Sequence, residues 1–202
     1  MRGLEQIPWL YDAGMALAER SWLARWRDWL VSGVRGRVLE VGCGTGRNLP
    51  RYAPGTPLVA IDPYPQNLAR ARRRAPAVPL VQARAEALPF RDGAFGTVVA
   101  SLVLCSVDDP PRALAELRRA LAPGGTLRAI EHVRAGRHWA ARVQDALQPG
   151  WTWATGGCRP NRDTERSVAA AGFRILEEGR LTRGLVRRFT AVAGRAPGAS
   201  QP

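Results

Sequence analysis

The sequence contains no lysine and little sulfur. Its three cysteines, Cys43, Cys105 and Cys158, are too few and too irregularly spaced for a disulfide framework or a zinc motif. Only two histidines, His132 and His138, are available as imidazole ligands. We therefore expect the three thiols to stay reduced, and we expect no metal site.

Long apolar runs are also lacking. No stretch approaches the roughly 18 residues that suggest a membrane span, and the chain does not begin with the pattern of a signal peptide. Both observations favour a cytoplasmic protein. All 30 basic residues are arginine, against 17 acidic residues, which gives a net charge of +13. Solvated arginines spread over the surface explain this excess, and a surface that meets nucleic acid or an anionic membrane is the alternative.

The length of 202 residues and the 46% hydrophobic content are typical of one domain with one sizeable core. We predict an N-terminal helical segment over residues 1–36 that covers the cofactor site, a main domain over 37–193 and a disordered tail over 194–202. The apolar residues of the first helix fall on one stripe at helical pitch: Trp22, Leu23, Trp26, Trp29 and Leu30.

From residue 37 onward, short apolar segments alternate with helical ones. The predicted strands are 38–41, 58–61, 78–82, 97–103, 126–133, 173–177 and 185–192. The predicted helices are 65–74, one that starts at Asp109, 138–148 and 162–171. Repeated strand–helix–strand units imply an α/β fold with a doubly wound, mostly parallel sheet. Residues 148–160 are predicted as a loop that carries Trp151 and Trp153.

A glycine loop follows the first strand, with Gly42, Gly44 and Gly46 in a Gly-x-Gly-x-Gly pattern that leads into a helix. Glycines let the backbone turn sharply and approach a ligand closely, and a helix N-terminus offers N–H groups to an anion. The dinucleotide fingerprint places its third glycine one residue later. On its own the loop allows two interpretations, a cofactor site and a structural turn.

Polar residues at the ends of later strands favour the cofactor. Asp62 ends the second strand, where a carboxylate can accept hydrogen bonds from ribose hydroxyls, although an N-cap before Pro63 is the alternative. Glu86 follows the third strand, where the chain can wall an adenine, and Ser101 with Leu102 ends the fourth. These positions share the edge of the sheet at which open α/β folds bind ligands. Together they favour a nucleoside-containing cofactor.

Residues 40–46 resemble the first motif of class I S-adenosylmethionine (SAM)-dependent methyltransferases, and residues 121–127 resemble their late Leu-x-Pro-Gly-Gly segment. The resemblance spans roughly 37–178. It implies SAM as the cofactor and a Rossmann-like seven-stranded sheet whose last strand is antiparallel. By position it assigns Glu40, Gly42, Gly44, Thr45 and Gly46 to the methionine end of SAM, Asp62 to the ribose, Pro63, Ala85 and Glu86 to the adenine, and Ser101 and Leu102 to the floor of the site.

Within that class the chain is most similar to the membrane-associated thiol S-methyltransferases of animals. The similar segments are 40–48, 60–63, 102–107, 130–133 and 145–158. The sequence differs from related enzymes at two positions. Arg84 stands where they often have Asp, and Gly96 follows Phe95 where they often have Asp after Phe. The change at Arg84 puts the usual adenine contact in doubt. The tryptophan-striped helix stands where that family has a membrane segment.

The resemblance implies methyl transfer to a small, apolar acceptor, with a thiol as the best candidate. A thiol with a pKa of about 8.5 is partly ionised at neutral pH and needs little help from a base. His132 is the candidate base, with a structural imidazole as the alternative, and Cys105 is expected to be a wall residue. We expect Trp151 and Trp153 to wall an apolar pocket.

Two other functions remain open from the sequence. Phospholipid N-methylation or quinone C-methylation would suit a first helix that contacts a membrane interface through Trp and Arg. A SAM-binding nucleic-acid module would suit the charge. However, the fourth strand lacks the Asn/Asp-Pro-Pro-Tyr type of signature, and no separate RNA-binding domain is present.

Overall fold

The structure is a computed structural model that describes residues 22–194. Most of the predicted N-terminal segment and nearly all of the predicted disordered tail lie outside these residues. The strands are β1 (Val38–Val41), β2 (Leu58–Asp62), β3 (Leu80–Gln82), β4 (Phe95–Ser101), β5 (Leu121–His132), β6 (Phe173–Arg183) and β7 (Val186–Ala193). The helices are α1 (Ala24–Ser32), α2 (Pro65–Arg74), α3 (Pro110–Ala120), α4 (His138–Thr155) and α5 (Thr164–Ala170), with a 3-10 turn at Leu49–Arg51.

The seven strands form one sheet in the order β3-β2-β1-β4-β5-β7-β6. Strands β1 to β5 pair in parallel, and β7 pairs antiparallel with both β5 and β6. The predicted doubly wound, mostly parallel sheet with an antiparallel last strand is therefore confirmed. None of the helices within residues 22–194 combines the length and the apolar character needed to cross a membrane.

Helices cover both faces of this sheet. On β1, Val38 packs into a cluster with residues of α1 and α2, whereas Leu39 and Val41 pack on the other face with residues of α3 and α5. This alternation follows from the two-residue period of a strand. All four residues of β1 are buried, as expected for a parallel strand covered on both sides.

The predicted loop at residues 148–160 is wrong over its first half. Helix α4 continues through Pro149 to Thr155 and ends at Gly156, whose φ of 71° is the left-handed C-cap conformation. Proline removes one N–H donor, but it does not remove the other bonds of the helix. The Thr155 hydroxyl donates to the Trp151 carbonyl at 2.8 Å, which supports the last turn.

Strand β6 is twice as long as the predicted segment, because it turns directly into β7. Its pairing with β7 shifts register between Leu176 and Leu181. Gly179, in between, has a φ of 74°, which only glycine adopts at little cost. The irregularity interrupts the apolar alternation that a sequence pattern can follow.

The described part of the tryptophan stripe packs on the sheet. Leu23, Trp26 and Leu30 are buried against β1, β4 and β5. Arg27, which lies outside the stripe, is also buried, and its guanidinium donates to Asn48 Oδ1 at 2.6 Å. Since Asn48 belongs to the segment after the glycine loop, α1 is tied to the candidate site.

Candidate active site at the carboxyl ends of the strands

A cavity opens where β1 lies between β2 and β4. The chain leaves β1 toward β2 on one side and reaches β4 on the other, so the order of strands reverses here, as it does at the ligand site of open α/β sheets. The lining residues come from the ends of β1, β2 and β4, from the loops that follow β1 to β4, from α2 and from the end of α4: Val41, Gly42, Thr45, Asp62, Pro63, Tyr64, Asn67, Ala83, Arg84, Ala85, Glu86, Ser101, Leu102, Val103, Ser106, Val107, Asp108, Thr155, Gly156 and Gly157.

The glycine loop forms one wall, and its glycines are required by geometry. Gly42 has a φ of 61°, and a Cβ there would lie 2.6 Å from the Val103 side chain. Gly46 has a φ of 80°, and its Cβ would lie 2.9 Å from Ala71 of α2. Gly46 therefore allows close packing of the loop on α2. Arg74, near the end of the same helix, donates to the Thr45 carbonyl at 2.7 Å.

Asp62 ends β2 and holds this loop from the other side. Its Oδ2 accepts from Gly44 N at 2.9 Å, and its Oδ1 accepts from Tyr64 N at 3.0 Å and from Asn67 Nδ2 at 3.1 Å. Burial raises the pKa of this carboxyl, and the three donors oppose the rise. A carboxylate offers about four lone-pair sites, so Asp62 keeps room for a ribose hydroxyl. Tyr64, not Asp62, is the N-cap residue of α2.

Glu86 and Asp108 are in contact on the side of the cavity that is predicted for the adenine. Glu86 Oε1 accepts from Asp108 N at 2.9 Å. Arg84, the departure from the family pattern, lines the cavity and forms an ion pair with Asp108. In this chain an arginine–aspartate pair thus stands beside the position predicted for the base.

The floor turns sharply at Leu102, the one non-glycine residue with a positive φ (60°) among residues 22–194. This conformation costs roughly 1–2 kcal/mol for a residue with a side chain. Hydrogen bonds to Glu131 of β5 offset this cost. Its buried carboxylate accepts from Val103 N at 2.8 Å, Leu104 N at 2.9 Å and Cys105 N at 3.2 Å. Burial raises the pKa of Glu131, and these three donors work against that rise.

Glu40 lies beneath the glycine loop rather than in the cavity wall. Its carboxylate accepts from Asn48 Nδ2 at 3.0 Å and from the Tyr52 hydroxyl at 2.7 Å. Burial raises its pKa to about 7, although both donors and the Arg27 charge lower it. Glu40 therefore supports the loop through Asn48 and Tyr52.

Glu40→Gln should make stability less dependent on pH. The folded pKa of about 7 lies above the ordinary value of 4.5 for a glutamate, so the folded state holds the proton more tightly. Its contribution to stability is complete below about 4.5 and is lost as the pH rises to about 7. Urea unfolding measures the free energy of unfolding at pH 5.5 and at pH 8. Between these two pH values it should decrease less in Glu40→Gln than in the wild type, by on the order of 2 kcal/mol.

The matched control for this prediction is Glu178→Gln, the same change at an exposed position of β6. It should leave the pH dependence of the wild type unchanged. Equal slopes for Glu40→Gln and the wild type would contradict the assignment of this titration to Glu40.

A group of two thiols and one imidazole lies next to the cavity. Cys105 and Cys158 are buried, and their Sγ atoms are 3.6 Å apart. His132 Nδ1 lies 3.5 Å from Cys105 Sγ and 3.3 Å from Cys158 Sγ. The pKa of Cys158 is lowered by the hydrogen bond with Cys105 and by His132, whereas that of Cys105 is raised.

The structure brings most of the predicted cofactor residues together. Gly42, Thr45, Asp62, Pro63, Ala85, Glu86, Ser101 and Leu102 all line the cavity. Glu40, Gly44 and Gly46 support the wall instead, and His132 belongs to the thiol group. Sequence reasoning missed Asn67, Ser106 and Asp108, which lie in turns and a first helical turn next to strand ends.

The prediction that Trp151 and Trp153 wall an apolar pocket is not supported. Both lie on α4 and are exposed, at 46% and 70%. Trp151 contacts the His132 ring, with centroids 6.2 Å apart, but neither tryptophan lines the cavity.

A second depression, of about 890 Å³, lies between α3 and α5. It contains none of the predicted cofactor residues. Two of its arginines are already engaged with backbone carbonyls, Arg118 with Ala171 at 3.1 Å and Arg162 with Leu104 at 2.8 Å. The cavity beside the glycine loop therefore remains the candidate site.

Comparison with known proteins agrees with this geometry. Residues 39–129 match the model of a family described as "Methyltransferase domain". The chain is 34% identical to human thiol S-methyltransferase TMT1B over 157 residues, which cover 73% of this chain and 64% of that protein. It is 32% identical to human thiol S-methyltransferase TMT1A over 176 residues, which cover 83% and 72%. Thus it spans roughly two thirds of the length of these relatives.

Among solved structures, a SAM-dependent methyltransferase of Thermotoga maritima superposes with a TM-score of 0.72 over 94% of this chain and 98% of that one, at 23% identity. The fold is Rossmann-like, and its cavity lies at the edge of the sheet where such folds bind ligands. The chain belongs to the class I SAM-dependent methyltransferases, and SAM is its methyl donor.

Proposed function

We propose that this enzyme transfers the methyl group of SAM to the sulfur of a small, apolar thiol. The observation that carries the proposal is the similarity to thiol S-methyltransferase TMT1A over 83% of the chain. The segments 102–107, 130–133 and 145–158, which resemble that family in sequence, contain Cys105, His132 and Cys158, and these three residues converge beside the cavity.

Each group of site residues has a different role, which follows from its position in the cavity. Asp62 and the glycine loop hold the nucleoside and the methionine part, and Ser101 and Leu102 support the reacting end from below. SAM would supply a methyl group on a sulfonium; the acceptor sulfur would attack the methyl carbon in line, and S-adenosylhomocysteine would leave. The protein has mainly to align donor and acceptor and to exclude water. His132, at the end of β5, is the candidate group to receive the thiol proton.

The test is a panel assay with purified protein and methyl-labelled SAM. A small apolar thiol should be methylated at least about tenfold faster, in kcat/KM, than any amine, phenol, phospholipid or RNA, because a thiol ionises near neutral pH and is a strong nucleophile. Methylation of a phospholipid amine, a quinone or RNA, with every thiol ignored, would refute the proposal while leaving the methyltransferase assignment intact.

The proposed function also bears on where the enzyme acts. We also propose that the enzyme is cytoplasmic and takes a small-molecule acceptor; the alternative is peripheral membrane contact through the N-terminal tryptophan helix. Sedimentation with anionic vesicles separates the two: salt-sensitive co-pelleting that is lost in Trp22→Ala and Trp26→Ala would favour membrane contact.

A further inference from the structure

The two thiols and the imidazole described above converge from three separate parts of the chain. Cys105 lies in the turn after β4, His132 at the end of β5, and Cys158 just beyond α4. Their Sγ and Nδ1 atoms lie within 4.8 Å of one another. Twenty-six or more residues separate successive members, so no local motif marks the group.

The distances within this group match those of a tetrahedral zinc site. With Zn–S near 2.3 Å and Zn–N near 2.0–2.1 Å, tetrahedral angles place two sulfurs about 3.8 Å apart and a sulfur and a nitrogen about 3.6 Å apart. The observed separations are 3.6 Å between the sulfurs, and 3.5 Å and 3.3 Å between each sulfur and His132 Nδ1. Each therefore agrees with the ideal value to within about 0.3 Å.

The backbone of each ligand residue is held in place by a side chain or by a neighbouring segment. Glu131 accepts from Cys105 N at 3.2 Å. The Thr164 hydroxyl donates to the His132 carbonyl at 3.0 Å, and the Thr152 hydroxyl donates to the Cys158 carbonyl at 2.8 Å. Such preorganisation is what a metal site needs, because little entropy is lost when the ion binds.

The group also lies next to the cofactor cavity. Ser106 and Gly157, the chain neighbours of Cys105 and Cys158, both line that cavity. Two cysteines and one histidine leave the fourth position of a tetrahedral ion free, which is the arrangement of catalytic rather than structural zinc sites. Two thiolates also neutralise the charge of a divalent cation.

We propose that Cys105, His132 and Cys158 bind one zinc ion and that its fourth position takes the sulfur of the acceptor. The second part rests on the proposed thiol function. The acceptor thiol loses its proton to solvent when its sulfur binds the ion. That sulfur then forms the new S–CH₃ bond as the bond from the sulfonium to the methyl group breaks, and the thioether product, a weaker ligand, leaves. In this arrangement His132 holds the ion, and this role replaces that of the proton acceptor given above, because the acceptor proton goes to solvent.

The test uses the whole purified chain, its zinc content, and cobalt(II) as a spectroscopic probe. We expect about one equivalent of zinc per chain. We also expect a cobalt(II) form with sulfur-to-metal charge-transfer absorption and the strong visible bands of a tetrahedral site. Cys105→Ser and Cys158→Ser should each weaken zinc binding by at least about 100-fold. Cys43→Ser is the matched control: it removes the third buried thiol and should leave the cobalt spectrum unchanged.

Addition of a small apolar thiol to the cobalt form tests the fourth position. A changed visible spectrum and stronger charge transfer, absent with the corresponding alcohol, support the acceptor role. A metal spectrum that no thiol alters, in an enzyme that does methylate thiols, would overturn that role. A metal spectrum in an enzyme that methylates no thiol would refute the proposed function and leave the metal site standing. A protein without bound metal, or with a Cys105–Cys158 disulfide, would overturn the metal site.

Discussion

Asp62→Ala should raise the Kd for SAM by at least about 100-fold, since hydrogen bonds to a charged acceptor each contribute about 1.5–3 kcal/mol. The variant removes the proposed ribose acceptor and also the partner of Gly44 N, Tyr64 N and Asn67. Titration calorimetry measures the loss, and circular dichroism checks the fold. An unchanged Kd would contradict the assignment of this cavity to SAM.

A pair of glycine variants separates loss of the ligand site from general loss of stability. Gly44 and Gly184 have φ of 55° and 60°, and a Cβ at either position meets nothing within 4 Å. Alanine should therefore cost a similar amount of folding free energy at both, roughly 1–2 kcal/mol. Gly44→Ala lies in the glycine loop and should weaken SAM binding, whereas Gly184→Ala, in the β6–β7 hairpin, should not.

Glu131→Ala should lower the free energy of unfolding by at least about 3 kcal/mol, because three buried N–H groups each lose an acceptor worth about 1–3 kcal/mol. These groups belong to Val103, Leu104 and Cys105, which follow the strained Leu102. Urea unfolding measures the change. Glu131→Gln should cost less, because its amide oxygen still accepts from Val103 and Leu104.

Glu177→Ala on β6 is the control for Glu131→Ala. Its exposed carboxylate is paired with Arg180 at 2.8 Å, and an exposed ion pair contributes at most about 1 kcal/mol. If Glu131→Ala cost no more than Glu177→Ala, the buried carboxylate would not hold the turn.

The cofactor side of the molecule could be predicted from the sequence because its signals are local. The glycine loop, Asp62 and Glu86 each follow a strand directly, and parallel strands end at one edge. The start of α3 at Asp109 could also be predicted. The Asp109 carboxylate accepts from Arg112 N at 3.1 Å, which is the hydrogen bond of an N-cap.

Helix α4, the burial of Arg27 and the group of two thiols and one imidazole could not be predicted in the same way. Pro149 and Gly150 indicate the end of a helix, yet the tertiary setting of α4 overrides them. Arg27 looks like a surface residue by helical pitch, but Asn48 makes its burial favourable. Cys105, His132 and Cys158 are far apart in sequence and meet only because β4, β5 and α4 end at the same corner.

The guanidinium of Arg128, in β5, donates to the Leu30 carbonyl at 2.8 Å and to the Trp29 carbonyl, and it stacks on the Trp29 ring at 4.3 Å. These contacts close the end of α1 with a residue that follows it by 98 positions. On a ribosome that adds about 5–20 residues per second, α1 therefore waits on the order of 5–20 seconds for its docking partner. During that time the apolar face of α1 lacks β5 as a packing partner, and part of its apolar surface stays exposed in the nascent chain.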